Sequence, residues 1–178
     1  MIVNPRIVLT GGPGSGKTTL IEALAQRGFR TEPEAGRAVI KAEQARGGDA
    51  LPWADRAAFA EAMLDIDLAA HSRWADAVEP VFLDRGIPDI IGYLALCSLP
   101  LPPRLEEAAQ TRRYHSRVFI APFWPEIFTQ DAERRQDADE ARRTFEAMAR
   151  TYPAYGYDLV ELPKTSVEAR AAFVLEQL

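Results

Sequence analysis

Apolar residues in this chain fall into two patterns: short continuous runs, and stripes that recur every three or four positions. Runs at 2–9, 80–84 and 117–121 read as strands, because continuous apolarity over so few positions suits a strand covered on both faces. Phe29-Arg30-Thr31 and residues 157–162 read as two further strands. Leu20, Ile21, Ala23 and Leu24 mark a helix over 17–27, which Gly28 ends as a C-cap glycine would. Phe59, Met63, Ile66, Ala70 and Trp74 form one stripe along the longest helical pattern, 52–78. That stripe reads as core, and Trp53 at its start as a packing residue. Helices are also predicted over 39–45, 87–96, 104–114, 131–152 and 166–177; Pro88 suits a first turn and Ser166 a helix start. Residues 122–130, rich in proline and aromatics, read as irregular. Strands alternating with helices predict an α/β protein of three layers, a doubly wound parallel five-stranded sheet between two sets of helices.

The first strand leads into Gly11-Gly12-Pro13-Gly14-Ser15-Gly16-Lys17-Thr18-Thr19, and the helix follows at once. Gly-x-x-x-x-Gly-Lys-Thr between strand and helix is a phosphate-binding loop. Glycines let successive N–H groups turn inward on an anion, and the helix start adds unpaired N–H groups and a positive dipole end. Gly12, Pro13, Gly14, Ser15, Gly16, Lys17, Thr18 and Thr19 are therefore the expected nucleotide-binding residues. Lys17 supplies a point charge to the β- and γ-phosphates, and the Thr18 hydroxyl can ligate Mg²⁺. The expected cofactors are ATP and Mg²⁺.

At 178 residues the chain fits one domain, 1–178, with a single sizeable core. A net charge of −5, with no long basic block, argues against nucleic-acid binding. The one cysteine, Cys97, cannot form an internal disulfide and reads as core packing. No leader and no membrane-length apolar run is apparent, so a cytoplasmic protein with no membrane partner is expected. A homodimer is left open. The two histidines, His71 and His115, have no partners at catalytic or metal-binding spacing.

Three further groups carry chemistry. Asp84 ends a buried strand, where an acid emerges beside the loop to hold the metal or its water; a helix N-cap is its other reading. Arg85 behind it is expected in the same cleft. Glu34 and Arg37 follow the second strand, at the sheet edge where ligands sit. The carboxylate would take a proton from a substrate hydroxyl and the arginine would neutralise charge, with a surface salt bridge as the alternative. Glu32, Glu34 and Asp84 all remain open as the base. Arg134, Arg135, Arg142 and Arg143 lie among acids, either as a solvated helix laced by pairs such as Asp139 with Arg143, or as a lid closing arginines onto phosphate.

With these pieces placed, the chain resembles P-loop ATPases of the nucleoside and nucleotide kinase-like group. More narrowly, it resembles the small AAA-type ATPases related to the ribosylnicotinamide kinase domain of NAD-biosynthesis regulators. The resemblance extends to the late Tyr152-Pro153-Ala154-Tyr155-Gly156-Tyr157 and Leu162-Pro163 pieces. It implies strand order 2-3-1-4-5, ATP under a helical lid at about 122–145, Asp84 near Mg²⁺, and Pro163-Lys164-Thr165 near the base. Asp84-Arg85 is similar to the acid-arginine pair on the acceptor side of deoxynucleoside kinases, which carry serine next where this chain has Gly86.

Two functions follow. The first is a kinase moving the ATP γ-phosphoryl to a small hydroxyl-bearing metabolite such as a nucleoside, with Lys17, Glu34, Asp84, Arg85, Arg134 and Arg135 catalytic and Glu34, Arg37 and Arg85 on the acceptor. The second is a nucleotide switch that binds or hydrolyses ATP and acts through a partner. A GTPase is disfavoured because the Asn-Lys-x-Asp guanine signal is missing, and a ring-forming motor because the chain is short.

Overall fold

Strand residues point alternately to opposite faces, so a run of consecutive apolar residues must be covered twice. The structure, a computed structural model, describes residues 4–127 and 137–178. Its sheet contains β1 (Arg6–Gly11), β2 (Arg30–Glu32), β3 (Val81–Asp84), β4 (Arg117–Ala121) and β5 (Asp158–Glu161), all paired in parallel in the order β2-β3-β1-β4-β5. This is the expected order. Central β3 is buried throughout, whereas β5, at the edge, is exposed at both ends.

The alternation separates two cores. Ile7, Leu9, Phe82 and Phe119 face α1 (Lys17–Gln26) and α7 (Val167–Glu176), packing on Leu20, Leu24, Ala171 and Val174. Val8, Val81, Leu83, Val118 and Ile120 join a larger core on the other face. There they meet residues of α2 (Ala35–Arg46), α3 (Arg56–Arg73), α4 (Ile87–Leu96), α5 (Pro103–Thr111) and α6 (Ala138–Ala154).

Local chemistry moves several boundaries from those expected. The long helix starts at Arg56 because Asp55 caps it, its carboxylate accepting from Ala58 N at 2.9 Å. Its stripe is core as expected: Phe59, Met63 and Ala70 are buried, and Ile66 and Trp74 pack against them. Trp53, upstream of that cap, is not a packing residue; it is 56 % exposed. α2 begins at Ala35, earlier than its apolar pattern suggests, with Glu34 at the N-cap position and Gly36 and Arg37 in its first turn. Ser166 caps α7 as expected, accepting from Ala169 N.

His71 closes α3 against β1. Its Nε2 lies 2.9 Å from the Arg113 carbonyl and its Nδ1 3.1 Å from Arg6 Nη1, with the Tyr114 ring edge-on. A neutral ring donating from Nε2 and accepting at Nδ1 satisfies both contacts. Burial pushes its pKa below 6.5, the Arg6 and Arg112 charges add to this, and the hydrogen bond to Arg113 opposes it. Below about pH 6.5 the unfolded chain takes a proton that the folded site resists, so stability falls with falling pH, by at most ~1.4 kcal/mol per pH unit. Urea unfolding at pH 7.5 and 5.5 should show this loss in the wild type, and a smaller loss in His71→Gln.

Candidate functional site

β1 ends where its glycines let other backbones come close. A Cβ at Gly11 would lie 2.4 Å from the Ala121 carbonyl oxygen of β4, and one at Gly12 would lie 2.3 Å from that of Ala141 in α6. The next turn passes through left-handed Gly14 and Gly16, and α1 starts at Lys17. The loop is tied to itself: Ser15 Oγ donates to the Gly12 carbonyl at 2.7 Å and Lys17 Nζ to the same oxygen at 2.8 Å. A cleft of about 600 Å³ opens on it, lined by residues 13–19, Glu34, Arg37, Asp84 and parts of the 124–127 and 165–170 segments.

Asp84 ends β3 opposite Leu9 and lines this cleft together with Thr18. Among the described residues no group of three or more His, Cys, Asp or Glu side chains could hold a metal by itself. One hydroxyl and one carboxylate suit Mg²⁺ all the same, since that ion usually keeps few protein ligands and takes the rest from phosphate and water. The inward-curled loop with its buried lysine fits a phosphate chain.

A second cavity, of about 940 Å³, adjoins the first and shares Pro13 and Glu34 with it. Phe59, Met63, Ile90, Tyr93 and Met148 make its apolar wall, and Trp53, Arg56, Glu140 and Arg143 also border it. Glu34 stands between the two spaces. Its Oε2 lies 3.5 Å from Arg37 Nε, which lines the first cavity, and its Oε1 3.2 Å from Arg85 Nε, which lines the second. Arg85 has a left-handed backbone (φ 74°), unusual for a residue with a Cβ, and its side chain is held by Glu34 and by Asp89 Oδ1 at 2.9 Å. Burial lowers the Arg85 pKa, but Glu34, Asp89 and Asp84 outweigh it, and the net shift is upward.

Asp89 is the hub of this floor. It accepts from Thr10 Oγ1 at 2.5 Å, Arg85 Nη1 at 2.9 Å, Gly86 N at 3.0 Å and Tyr152 OH at 2.5 Å, joining β1, α4 and α6. Gly86 must be small, since a Cβ there would press within 3.2 Å of the Tyr114 ring and Val8. Asp67 also lines the cavity; desolvation first, then the charges of Asp89, Glu34 and Glu32, hold its carboxyl well above the ordinary range, against Arg85.

One cleft brings together residues 13–19, Glu34, Arg37 and Asp84 of the expected set; Gly12 does not line it. Four expectations change. Arg85 lines the neighbouring cavity rather than the phosphate cleft, because its left-handed turn delivers it to Glu34 and Asp89. Glu32 lines neither space; its carboxylate takes Arg73 Nη1 at 2.6 Å and Trp74 Nε1 at 2.7 Å, pinning α3 to β2. Cys97 is half-buried on the second cavity instead of in the core. Arg143 pairs with Asp139 as its spacing suggested, but it lines the second cavity. Arg134 and Arg135, with much of the 122–145 lid, lie outside the described residues.

Asp89, Asp67 and Arg170 are additions. Asp89 could have been found as the acid in the first turn of the helix that Pro88 opens. Arg170 could have been found as a charge among Val167, Ala171 and Val174 on one helical face.

Several solved structures share this architecture. The NadR protein in complex with NR aligns with a TM-score of 0.71 at 21 % identity, covering 97 % of this chain and 49 % of that one. Shikimate kinase from Acinetobacter baumannii in complex with shikimate gives 0.62 at 18 %, covering 99 % and 93 %. Deoxyadenosine kinase from M. mycoides, with products dCMP and a flexible dCDP bound, gives 0.60 at 10 %, covering 97 % of each chain. At such identities the likeness shows the fold. No curated protein matches the chain. The model of an AAA domain family matches residues 6–170, so this chain belongs to that family, as a P-loop NTPase of kinase-like fold.

Proposed function

We propose that this chain is a kinase that moves the γ-phosphoryl group of ATP, with Mg²⁺, onto a hydroxyl of a small metabolite held in the second cavity. The observation that carries this reading is the position of Glu34, shared by the cleft on the glycine-rich loop and a roomier, largely apolar cavity with a charged floor. A switch that only binds or hydrolyses nucleotide has no need of the second space. An apolar wall with aromatic members and a polar floor suits a flat ring bearing hydroxyls, as in a nucleoside. The kinases among the structural neighbours support the same class of reaction.

In this reading Lys17 and the loop amides bind the phosphates and offset the charge that develops on them. Thr18 and Asp84 would hold Mg²⁺, which would supply positive charge to offset that of the phosphates. Arg85, braced by Asp89, and Arg37 hold Glu34 between the two spaces. The acceptor oxygen forms a bond to γ-phosphorus, the bond to the bridging oxygen breaks, and ADP leaves; the acceptor proton passes to Glu34. We read 1–178 as one catalytic domain with a lid at about 122–145, and Asp67 as a hydrogen-bonding group for the acceptor.

The test is ADP release from ATP and Mg²⁺ across a nucleoside and small-polyol library. At least one acceptor should stimulate release. Glu34→Gln should lower that stimulated rate about 10²–10⁴-fold while ATP affinity stays near wild type. Release that no acceptor changes would favour the switch instead.

A further inference from the structure

α7 packs on α1 through a stripe in which one member is charged. Arg170 is 2 % exposed, fully buried, beside buried Ala171 and Val174 and against the Ser15–Gly16 turn of the phosphate loop. Its Nη1 donates to the Ser15 carbonyl at 3.1 Å, and the Trp124 ring centroid lies 6.0 Å from the guanidinium carbon. Nε and Nη2 are buried without a hydrogen-bond partner. No ion pair joins Arg170 to an acid among the described residues.

This arrangement is unfavourable by itself. An arginine cannot shed its charge at any physiological pH, and taking a cation out of water without an anion is a net loss. Burial alone shifts its pKa, downward, with no carboxylate acting the other way. A leucine or methionine would fill the same space without that penalty. The loop is also shaped around it, since a Cβ at Gly16 would stand 2.8 Å from Nη1. Arg170 is among the residues that line the phosphate cleft, beside Thr165, Ser166 and the loop.

We infer that Arg170 is a nucleotide-binding residue whose missing partner is the anionic phosphate chain of a nucleoside di- or triphosphate, seated on the Ser15–Gly16 flank of the loop. This rests on the cleft being a nucleotide site and is independent of whether an acceptor exists. Phosphate is the partner chemistry because the group needs an anion as well as acceptor atoms, and arginine's fork of donors matches phosphate oxygens. Ser15 and Trp124 hold the group in place while the cleft is empty, and the incoming phosphate supplies the charge it lacks.

The experiment is calorimetric titration of wild type, Arg170→Leu and Arg170→Lys with MgATP, MgADP, inorganic tripolyphosphate and adenosine, alongside melting of each protein without nucleotide. Arg170→Leu should lose about 30-fold or more in affinity for ATP, ADP and tripolyphosphate alike. Its affinity for adenosine should be unchanged, and its nucleotide-free melting temperature should be no lower than wild type. Arg170→Lys should recover part of the phosphate affinity. Wild-type affinity for ATP in Arg170→Leu overturns the inference. So does a loss seen with ATP but absent with tripolyphosphate, which would assign the group to the base. A lower melting temperature together with equal losses for every ligand also overturns it, marking a loop anchor. Wild type that binds neither ATP nor tripolyphosphate refutes the reading of the cleft itself, a separate result.

Discussion

Lys17→Ala is expected to lose about 10²–10³-fold in MgATP affinity, the cost of removing about 3–4 kcal/mol of charge stabilisation from a preorganised site. It should do so without unfolding the protein. The ammonium donates within its own loop, to the carbonyls of Gly12 and Gly11 and to Ser15 Oγ. Once it is gone, Ser15 Oγ still satisfies the Gly12 carbonyl at 2.7 Å. Calorimetry measures the affinity, and thermal melting checks that the fold persists. Wild-type affinity in this variant would remove the phosphate role from the loop.

The second large effect is on stability. Asp89→Ala deprives Thr10, Arg85, the Gly86 amide and Tyr152 of one shared acceptor at a position 5 % exposed. Three buried donors are then left to find other partners, and Arg85 keeps only Glu34 of its two paired acids. Removing one partner of a buried charge pair costs about 3–5 kcal/mol. For a chain of this size that is a fall of roughly 6–20 °C in melting temperature. Tyr152→Phe removes one neutral donor to the same carboxylate and should cost about 1 kcal/mol, a fall of roughly 2–4 °C. Burial first, and the nearby Asp89 charge next, push the Tyr152 hydroxyl well above its ordinary pKa, so it stays a donor throughout the working pH range. Equal melting temperatures for Asp89→Ala and wild type would show that the hub is not structural.

The phosphate loop was readable in one dimension because its parts are contiguous: strand, turn and helix start arise from neighbouring residues whose backbone preferences are local. Asp84 was readable for a related reason, as an acid closing a buried run can only emerge at the sheet's ligand edge. Glu34 and Arg37 followed from the same edge argument, although α2 starts earlier than its apolar pattern implies, because Glu34 already takes the N-cap position. Glu32 was less tractable. Two residues from Glu34 and chemically equivalent to it, it is distinguished only by Arg73 and Trp74, which arrive from another helix.

Sequence thus settled the α/β class and the strand, glycine-rich loop and helix that run from β1 into α1, because each depends on spacing along the chain or on local backbone geometry. Tertiary structure alone decided that Arg85 turns into a neighbouring cavity, that Trp53 and Cys97 border that cavity, that Asp89 ties β1, α4 and α6 together, and that Arg170 is buried against Gly16 with no acid paired to it among the described residues. The reason is physical: a side chain's partners, burial and charge environment depend on segments far apart in sequence. No periodicity in one helix reports what another helix brings against it.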